Sequence, residues 1–359
     1  MRILFHLLDA GIGGGQRVAL AAAQRLRDSG HTLGLAVPTS GPAADEFADL
    51  GAHITLLDAS SLRRPRGAAR LAEVLRGYDI LYSHTSAPGQ ILGQLAARRA
   101  RRPHVVHQHT YPYFSTRPAG RAAQIAVYRL LMSRSRFIAV APHVADGLVE
   151  VGVARERITV VPNGVRVPAT PPPTKANGGP VRVGMLARLD PGKGIQTFVT
   201  AAGLAGLDLQ AASYLIGGAP GPFTDFEAEI RAEAARAGID IVEPGAQGEA
   251  LLAKFDIVVI PSRYEGSPLV LLESMACGRA IIATDIPGMR EVLGPSGAGL
   301  LVPVDDPAAL ATAMRSLALD SELRLQFGRR AWDLAGERYR IEGVLDRIER
   351  VIAEALAEA

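Results

Sequence analysis

The sequence of 359 residues has one cysteine, Cys277, and only 5% aromatic residues. A single cysteine cannot form an internal disulfide, so a disulfide-rich secreted fold is excluded, a reducing cytoplasm is the expected location and Cys277 is predicted to be a core residue. No apolar run approaches the ~20 residues of a membrane-spanning helix. The first apolar run soon meets Asp9 and a glycine loop, as a first core strand does, so a core strand rather than a signal peptide is expected here.

Positive charge is only in small excess, since the formal net charge is +3. The arginines nevertheless cluster in two segments. No helix-turn-helix, zinc-ligand or aromatic RNA-binding signature accompanies them, so a nucleic-acid partner is not expected. We interpret the clusters as solvated surface. The alternative is attraction to an anionic acceptor or lipid, which would give a peripheral contact with the inner membrane face. The clusters are Arg63, Arg64 and Arg66, and Arg98, Arg99, Arg101 and Arg102.

Short apolar segments alternate with alanine-rich helical segments, a pattern typical of parallel sheets covered by helices, so the fold class is α/β. A stretch rich in proline and glycine, residues 168–180, predicts a linker between a first domain, 1–167, and a second, 181–340. Residues 341–359 have helical apolar spacing and predict a terminal helix packed on the body. The predicted strands are Ile3–Leu7, Thr32–Val37, His53–Leu57, Ile80–Ser83, Val105–His107, Phe137–Ala141, Thr159–Val161, Val181–Ala187, Ala211–Ile216, Ile239–Val242, Ile257–Ile260, Ala280–Ala283 and Leu300–Val302.

The strongest local motif is PSRYEGSPLVLLESMACG, residues 261–278, which follows an apolar strand. We predict that Ser267 caps a helix of about three turns that begins at Pro268 and ends at Gly278. The free N–H groups of such a helix favour a phosphate or a developing oxyanion. Glu265 precedes this helix and Glu273 lies inside it, so the two carboxylates are expected to contact different parts of one ligand. Ordinary capping with one solvated glutamate is the alternative interpretation.

A second motif, VGMLARLDPGKG, places Arg188 at a strand end and Lys193 just before the next helix. Two cations beside a helix N-terminus can bind a diphosphate and neutralise it as it leaves, so no metal is expected. The loop is not a Walker A motif, because Ile195 follows GKG and the serine or threonine is missing. A surface turn with two exposed bases is the alternative.

Two further features lie at predicted strand ends of the first domain. The turn GIGGGQ follows the first strand, and its Gly13, Gly14 and Gly15 allow a ligand to approach the backbone, although Gln16 breaks the dinucleotide fingerprint and disfavours a dehydrogenase. Histidines follow two other strands, where a neutral imidazole could bind a sugar hydroxyl. A metal is not expected there, because no carboxylate ligand pattern accompanies them. These histidines are His84, His107 and His109.

In order along nearly the whole chain, these segments resemble glycosyltransferase family 4: the glycine loop, PNGV before the linker, the strand to Arg188 and Lys193, the E-x7-E element and ATD-x-PG-x-x-EV. The resemblance implies the GT-B fold, two Rossmann-like doubly wound parallel-sheet domains facing across a cleft. It implies that Arg188 and Lys193 bind the donor diphosphate. It also implies that Glu273 binds the ribose, that Glu265 and the backbone of Ser267, Pro268, Leu269 and Val270 face the transferred sugar, and that His109 or His107, preferably His109, contacts that sugar.

The resemblance further implies metal-independent transfer of a hexose-type sugar, with retained configuration, from a nucleotide diphosphate sugar to a hydroxyl acceptor in glycan, glycolipid or metabolite synthesis. UDP and GDP are the favoured donors, and the turn containing Gly245 resembles the base-binding turn. The chain departs from the family at Ser267-Pro268, where Phe-Gly is frequent, which removes one N–H donor. A nucleotide-sugar 2-epimerase on the same fold and a degenerate, non-catalytic transferase subunit are the alternatives.

Overall fold

The computed structural model describes residues 1–11, 13–57, 65–112, 118–170, 180–207, 212–219, 223–243 and 248–359. They form two units, each with its own sheet. Unit 1 contains Met1–Asn163 and Glu342–Ala359, and unit 2 contains Gly164–Ile341. Most of the segment that the sequence predicts to be a linker, residues 171–179, lies outside the described residues. Among the described helices, none combines the length and the apolar character needed to cross a membrane.

Unit 1 is built on a parallel sheet whose central strands are continuous apolar runs, as expected for strands covered on both faces. Its strands are β1 (Arg2–Leu7), β2 (Thr32–Val37), β3 (His53–Leu56), β4 (Ile80–His84), β5 (His104–Gln108), β6 (Arg136–Ala139) and β7 (Ile158–Val160). Its first helices are α1 (Gly14–Asp28), α2 (Pro42–Asp49), α3 (Pro65–Leu75), α4 (Ala87–Ala100), α5 (Pro118–Leu131) and α6 (Pro142–Glu150). The strand order is β3-β2-β1-β4-β5-β6-β7. The order reverses between β1 and β4, and ligands of doubly wound sheets bind at the carboxyl ends of the strands beside such a reversal.

Unit 2 repeats this architecture with a six-stranded parallel sheet of order β10-β9-β8-β11-β12-β13. Its strands are β8 (Val181–Arg188), β9 (Ala212–Ala219), β10 (Asp240–Val242), β11 (Ile257–Ile260), β12 (Ala280–Thr284) and β13 (Leu300–Val302). Its helices are α7 (Ile195–Leu204), α8 (Thr224–Arg236), α9 (Gly248–Leu252), α10 (Leu269–Ala276), α11 (Pro287–Leu293), α12 (Pro307–Leu319) and α13 (Ser321–Arg338). The order reverses between β8 and β11, so the loops that follow these two strands meet at one edge of the sheet.

The last helix, α14 (Ile341–Ala357), belongs to the core of unit 1 although it ends the chain. Its apolar face buries Val344, Ile348, Val351 and Ile352 in the cluster that also holds Phe5. Full burial of such side chains contributes on the order of 2 kcal/mol each.

The predicted α/β fold of two doubly wound parallel sheets is confirmed, and all thirteen predicted strands are present with differences only at their ends. Strands Thr32–Val37, Ile257–Ile260 and Leu300–Val302 have the predicted bounds. Cys277, predicted to be a core residue, is partly buried against the apolar cluster around α10. The thirteen strands can be predicted from the sequence because buried parallel strands are short apolar runs bounded by polar or glycine-rich turns.

Candidate active site

The loop after β8 carries the two cations that the sequence singles out. Arg188 is the last residue of β8, and its side chain is 55% exposed and lies 3.6 Å from the Asp190 carboxylate. Lys193 ends a short 3-10 turn, Pro191–Lys193, that precedes α7. The Asp190 side chain accepts a hydrogen bond from the Gly192 N–H at 2.8 Å and so stabilises the turn. The cations therefore occupy the predicted places in the chain, with Arg188 the more exposed.

Lys193 and Glu265 form an ion pair, which the sequence did not predict. Lys193 Nζ lies 2.6 Å from Glu265 Oε1, and the side chains are only 25% and 14% exposed. The hydroxyl of Ser262 donates a second hydrogen bond to the same oxygen at 2.9 Å. A carboxylate that accepts two hydrogen bonds is held in one orientation, and a partly buried lysine requires such a partner. Arg188 is therefore the cation with more of its charge available to a ligand.

Backbone contacts hold the loop after β11 against the loop after β8. The N–H of Arg263 donates to the Gly192 carbonyl at 2.9 Å, and the Arg263 guanidinium donates to the Pro191 carbonyl at 2.7 Å. Gly194 has a φ of +67°, and a Cβ there would lie 2.0 Å from the Pro261 carbonyl oxygen. Only glycine fits both that conformation and that contact. The Lys193–Glu265 pair thus joins two loops, after β8 and after β11, whose backbones are held together by these contacts.

Helix α10 starts later than predicted. It covers Leu269–Ala276 with Pro268 as the N-cap residue, so the prediction that Ser267 is the cap and Pro268 begins the first turn is wrong by one residue. Proline has no N–H and stays in extended conformation here, so the helix begins at the next residue. At eight residues, α10 has about two turns rather than three. Gly278, with a φ of +63°, follows the helix as predicted.

The start of α10 offers backbone N–H groups at the same edge of the sheet. The first N–H groups of a helix have no partner within it, and those of Leu269 and Val270 lie in this first turn. Glu273 is half-buried one turn further along α10, and Ser267 is half-buried just before it. Helix N-termini favour anions, so the backbone and Arg188 together can stabilise phosphate charge.

The ATD-x-PG-x-x-EV motif positions the Glu265 loop from the other side. Thr284, the last residue of β12, donates its hydroxyl hydrogen to the Ser262 carbonyl. Gly288 packs on the loop backbone, since a Cβ at this position would lie 2.7 Å from the carbonyl oxygens of Glu265 and Gly266. Gly288 therefore allows α11 to pack close to Glu265, a structural role that the resemblance did not specify.

Three histidines of unit 1, which we call the three-histidine cluster, lie together at the carboxyl ends of β4 and β5. His84 ends β4, His107 lies in β5 and His109 follows it. His84 Nδ1 and His109 Nε2 share a hydrogen bond of 2.9 Å, and the rings of His107 and His109 stack with centroids 4.5 Å apart. The Tyr82 hydroxyl is bonded to His107 Nδ1 at 2.6 Å. His109 is half-buried, whereas His84 and His107 are buried, so His109 is the more accessible to a ligand.

Burial keeps these imidazoles neutral. Desolvation lowers the pKa of His109 to about 4. Desolvation, with a smaller contribution from the neighbouring histidine His109, also holds the pKa values of His84 and His107 well below the usual value. A neutral imidazole can donate one hydrogen bond and accept another, which suits a sugar hydroxyl.

The cluster also has the spacing of a candidate metal site, a use of these histidines that the sequence argument disfavours. One ligand atom from each of the three imidazoles can be chosen so that all lie within 4.8 Å of one another. The Nε2 atoms of His84 and His107 are buried and, within the described part of the chain, have no hydrogen-bond partner. Three neutral imidazoles suffice for zinc, so the lack of a carboxylate pattern was not a sufficient argument against a metal. The sequence signal for such a site is the His-x-His of His107 and His109 at the end of one strand, together with His84 at the end of the preceding strand.

The glycine turn after β1 leads into α1 beside the cluster. Gly13 is the N-cap of α1, and Gly14 begins the helix. A Cβ at Gly15 would lie 3.3 Å from the His109 ring, so glycine permits close approach of the helix to this histidine. The Asp9 carboxylate accepts bonds from the Gly11 N–H at 2.8 Å and from the Gln16 amide at 3.1 Å. The turn is thus tied in place, whereas Gly245 lies outside the described residues.

Comparison with known proteins identifies the family. Residues 12–167 match the family model "Glycosyltransferase Family 4", and residues 168–333 match "Glycosyl transferases group 1". The D-inositol 3-phosphate glycosyltransferase of Xylanimonas cellulosilytica is 30% identical over 291 residues, which cover 73% of this chain and 67% of that protein. The protein of the same name from Acidothermus cellulolyticus is 28% identical over 340 residues, 86% of this chain and 73% of that one.

Solved structures share the fold. Anabaena HepE in complex with UDP and glucose superposes with a TM-score of 0.84 at 19% identity, covering 99% of this chain and 100% of that chain. A glycosyltransferase from Rickettsia africae has the same TM-score and identity, with 100% and 99% coverage. Taken with the two family models and the relatives, the order of motifs along the two sheets shows that this chain is a GT-B-fold enzyme of glycosyltransferase family 4.

Proposed function

We propose that this glycosyltransferase moves a hexose-type sugar from a nucleotide diphosphate donor to a hydroxyl acceptor, with retention of configuration and without a metal. The observation that carries the proposal is the edge of the unit 2 sheet, where Arg188, the Lys193–Glu265 pair and the start of α10 follow neighbouring strands. UDP and GDP are the proposed nucleotides. UDP has added support, because HepE was solved with UDP and with UDP-glucose.

The leaving diphosphate is the group that this edge suits best. As the anomeric bond breaks, negative charge grows on the diphosphate, and groups that already point at it stabilise the transition state more than the ground state. Arg188 supplies an exposed cation and α10 supplies backbone N–H groups. Lys193 is proposed to contact the diphosphate as well, although its ammonium is already paired with Glu265. With this positive charge in place, the diphosphate needs no Mg²⁺.

Glu265 is proposed to contact the transferred sugar, with Lys193 and Ser262 fixing its carboxylate. Its carboxylate is then a hydrogen-bond acceptor rather than a nucleophile, and the leaving phosphate accepts the proton of the attacking hydroxyl on the same face of the sugar. Attack from that face retains the configuration. Glu273 is proposed to bind the ribose, Ser267 to Val270 to face the sugar, and Gly245 to lie near the base.

In unit 1, Gly13, Gly14, Gly15 and His109 are proposed to contact the donor. The neutral, half-buried His109 can exchange hydrogen bonds with a sugar hydroxyl, and the glycines leave the backbone accessible. The acceptor is proposed to be a glycan, a lipid-linked sugar or a small hydroxylated molecule. Several relatives are named for an inositol phosphate, which is a hydroxylated small molecule. For location we propose the cytoplasm, with contact to the inner membrane face at most peripheral.

The reaction is tested by proton NMR of the purified enzyme in EDTA with UDP-, GDP- and ADP-sugars and a panel of hydroxyl acceptors. A new anomeric signal with the donor's configuration, formed only with acceptor present, is expected. Conversion of a donor alone would instead establish the 2-epimerase alternative. An enzyme that leaves every donor unchanged would contradict the proposal and favour a degenerate subunit. An inverted anomeric signal would contradict retention while leaving transfer intact.

A further inference from the structure

A cavity of about 390 Å³ lies in unit 1 at the sheet edge opposite the three-histidine cluster. His104 and Arg136, the first residues of β5 and β6, line it, so it opens at the amino-terminal ends of the strands. The final turns of α14 form another wall. Its size is within the range of small-ligand pockets, roughly 300–1,000 Å³. We call this cavity the arginine pocket.

Six arginines line the arginine pocket, and carboxylates balance only part of their charge. Glu358 binds both Arg136 and Arg157, the latter at 3.2 Å, and Glu354 is 4.0 Å from Arg136. In the described part of the chain, no carboxylate lies within ion-pair distance of the other four. The six are Arg98, Arg101, Arg102, Arg134, Arg136 and Arg157.

Three details show that the pocket is built rather than a chance meeting of flexible side chains. Arg102 has a buried Nε that, among the described residues, has no hydrogen-bond partner. Arg101 has a φ of +55°, a left-handed conformation that is unfavourable for arginine and ends α4. Arg98 is held at the rim by donating to the Leu130 carbonyl at 3.0 Å. Among the described residues, the pocket thus holds one buried donor without a partner and four arginines without a carboxylate at ion-pair distance.

We propose that the arginine pocket binds a phosphate-bearing anion. Guanidinium groups present forked donors that match phosphate oxygens, and one phosphate accepts from several arginines at once. The anion would relieve the mutual repulsion of the six cations and supply an acceptor for Arg102. This site is separate from the proposed donor site, since its residues lie in unit 1 at the amino ends of the strands.

The same chemistry is available from a soluble phosphate compound and from an anionic lipid headgroup. Two exposed leucines accompany the pocket: Leu130, 72% exposed, whose carbonyl binds Arg98, and Leu95, 39% exposed, one turn before Arg98 on α4. Apolar side chains beside a basic pocket would also suit a lipid surface. Both sources are therefore included as separate arms of one test.

Every protein in the test carries Arg188→Ala and Lys193→Ala, so that anions cannot use the proposed donor site and failure of the proposed function does not affect the result. Arg101→Asn with Arg134→Gln removes two exposed, unpaired cations of the pocket, and asparagine tolerates the left-handed conformation. The matched control is Arg70→Gln with Arg76→Gln, which removes the same charge from α3 and its end.

Pyrophosphate is titrated by calorimetry, and sedimentation is measured with vesicles of phosphatidylglycerol or of phosphatidylcholine. We expect binding to one of the two anionic probes that is weakened about tenfold or more by the pocket variant and unchanged in the control. Pyrophosphate binding with this pattern assigns a soluble phosphate compound, and sedimentation only with phosphatidylglycerol assigns a lipid headgroup. Absence of binding to both probes, or equal binding by the pocket and control variants, would overturn the proposal.

Discussion

Mild acid is expected to destabilise unit 1 specifically. All eight histidines of the chain lie in this unit, and none lies in residues 164–341. Desolvation lowers the pKa of His6 and His109 to about 4 and that of His104, with help from His6, to about 3. Since the unfolded chain binds these protons near pH 6.5 and the folded unit does not, stability is full above pH 6.5 and is lost as the pH falls towards 4.

The magnitude follows from linkage. Each histidine that stays neutral in the folded unit lowers the free energy of unfolding by roughly 1 kcal/mol for each pH unit below 6.5. His6 isolates this effect, because its polar contact is weak: Ser83 Oγ is 3.5 Å away and also has a bond of 2.8 Å to His104. We expect His6→Leu to remove one proton-binding group and therefore to flatten the dependence of stability on pH by about that amount between pH 6.5 and 5.5.

The assay is urea unfolding at pH 7.5, 6.5 and 5.5, followed by far-UV circular dichroism for the whole chain and by fluorescence of Trp332, the single tryptophan, for unit 2. His53→Leu, at an exposed position, is the control. Parallel pH dependences for the wild type and His6→Leu would refute the reasoning that burial keeps His6 neutral. A change in slope of equal size in the control would do the same.

Three further outcomes are expected. Glu265→Gln should lower kcat much more than it weakens donor binding, and steady-state rates together with calorimetry check this; full activity would remove Glu265 from the mechanism. Gly288→Ala, which places a Cβ 2.7 Å from two loop carbonyls, should destabilise unit 2 by about 1–3 kcal/mol in urea unfolding, whereas Gly203→Ala, with open space around it, should not. EDTA should leave transfer unchanged; an activity loss restored by zinc would contradict metal independence and implicate the three-histidine cluster.

The strands and the order of the motifs could be predicted from the sequence, because buried parallel strands and glycine or proline punctuation leave strong local patterns. For that reason the sequence predicts β11 and β13 at their observed bounds. Arg188 at the end of β8 and Lys193 before α7 are equally local features, and the sequence located both.

Contacts between distant residues could not be predicted in the same way. Lys193 and Glu265 are 72 positions apart, and their pairing follows from the adjacency of β8 and β11 rather than from either motif. His84 joins His109 because β4 and β5 are neighbours, which periodicity does not reveal. The capping preference of serine predicts Ser267 as the cap of α10, whereas Pro268 occupies the N-cap position.

The most direct test of the donor site is calorimetric titration of UDP in EDTA into the wild type, Arg188→Gln and a control, Arg315→Gln, which removes an exposed arginine from α12. We predict that the wild type and the control bind UDP equally without a metal and that Arg188→Gln binds about tenfold or more weakly, as expected for the loss of a charged contact to phosphate. Equal affinity in all three proteins, or binding that requires added Mg²⁺, would contradict the assignment of Arg188 to a metal-free diphosphate site.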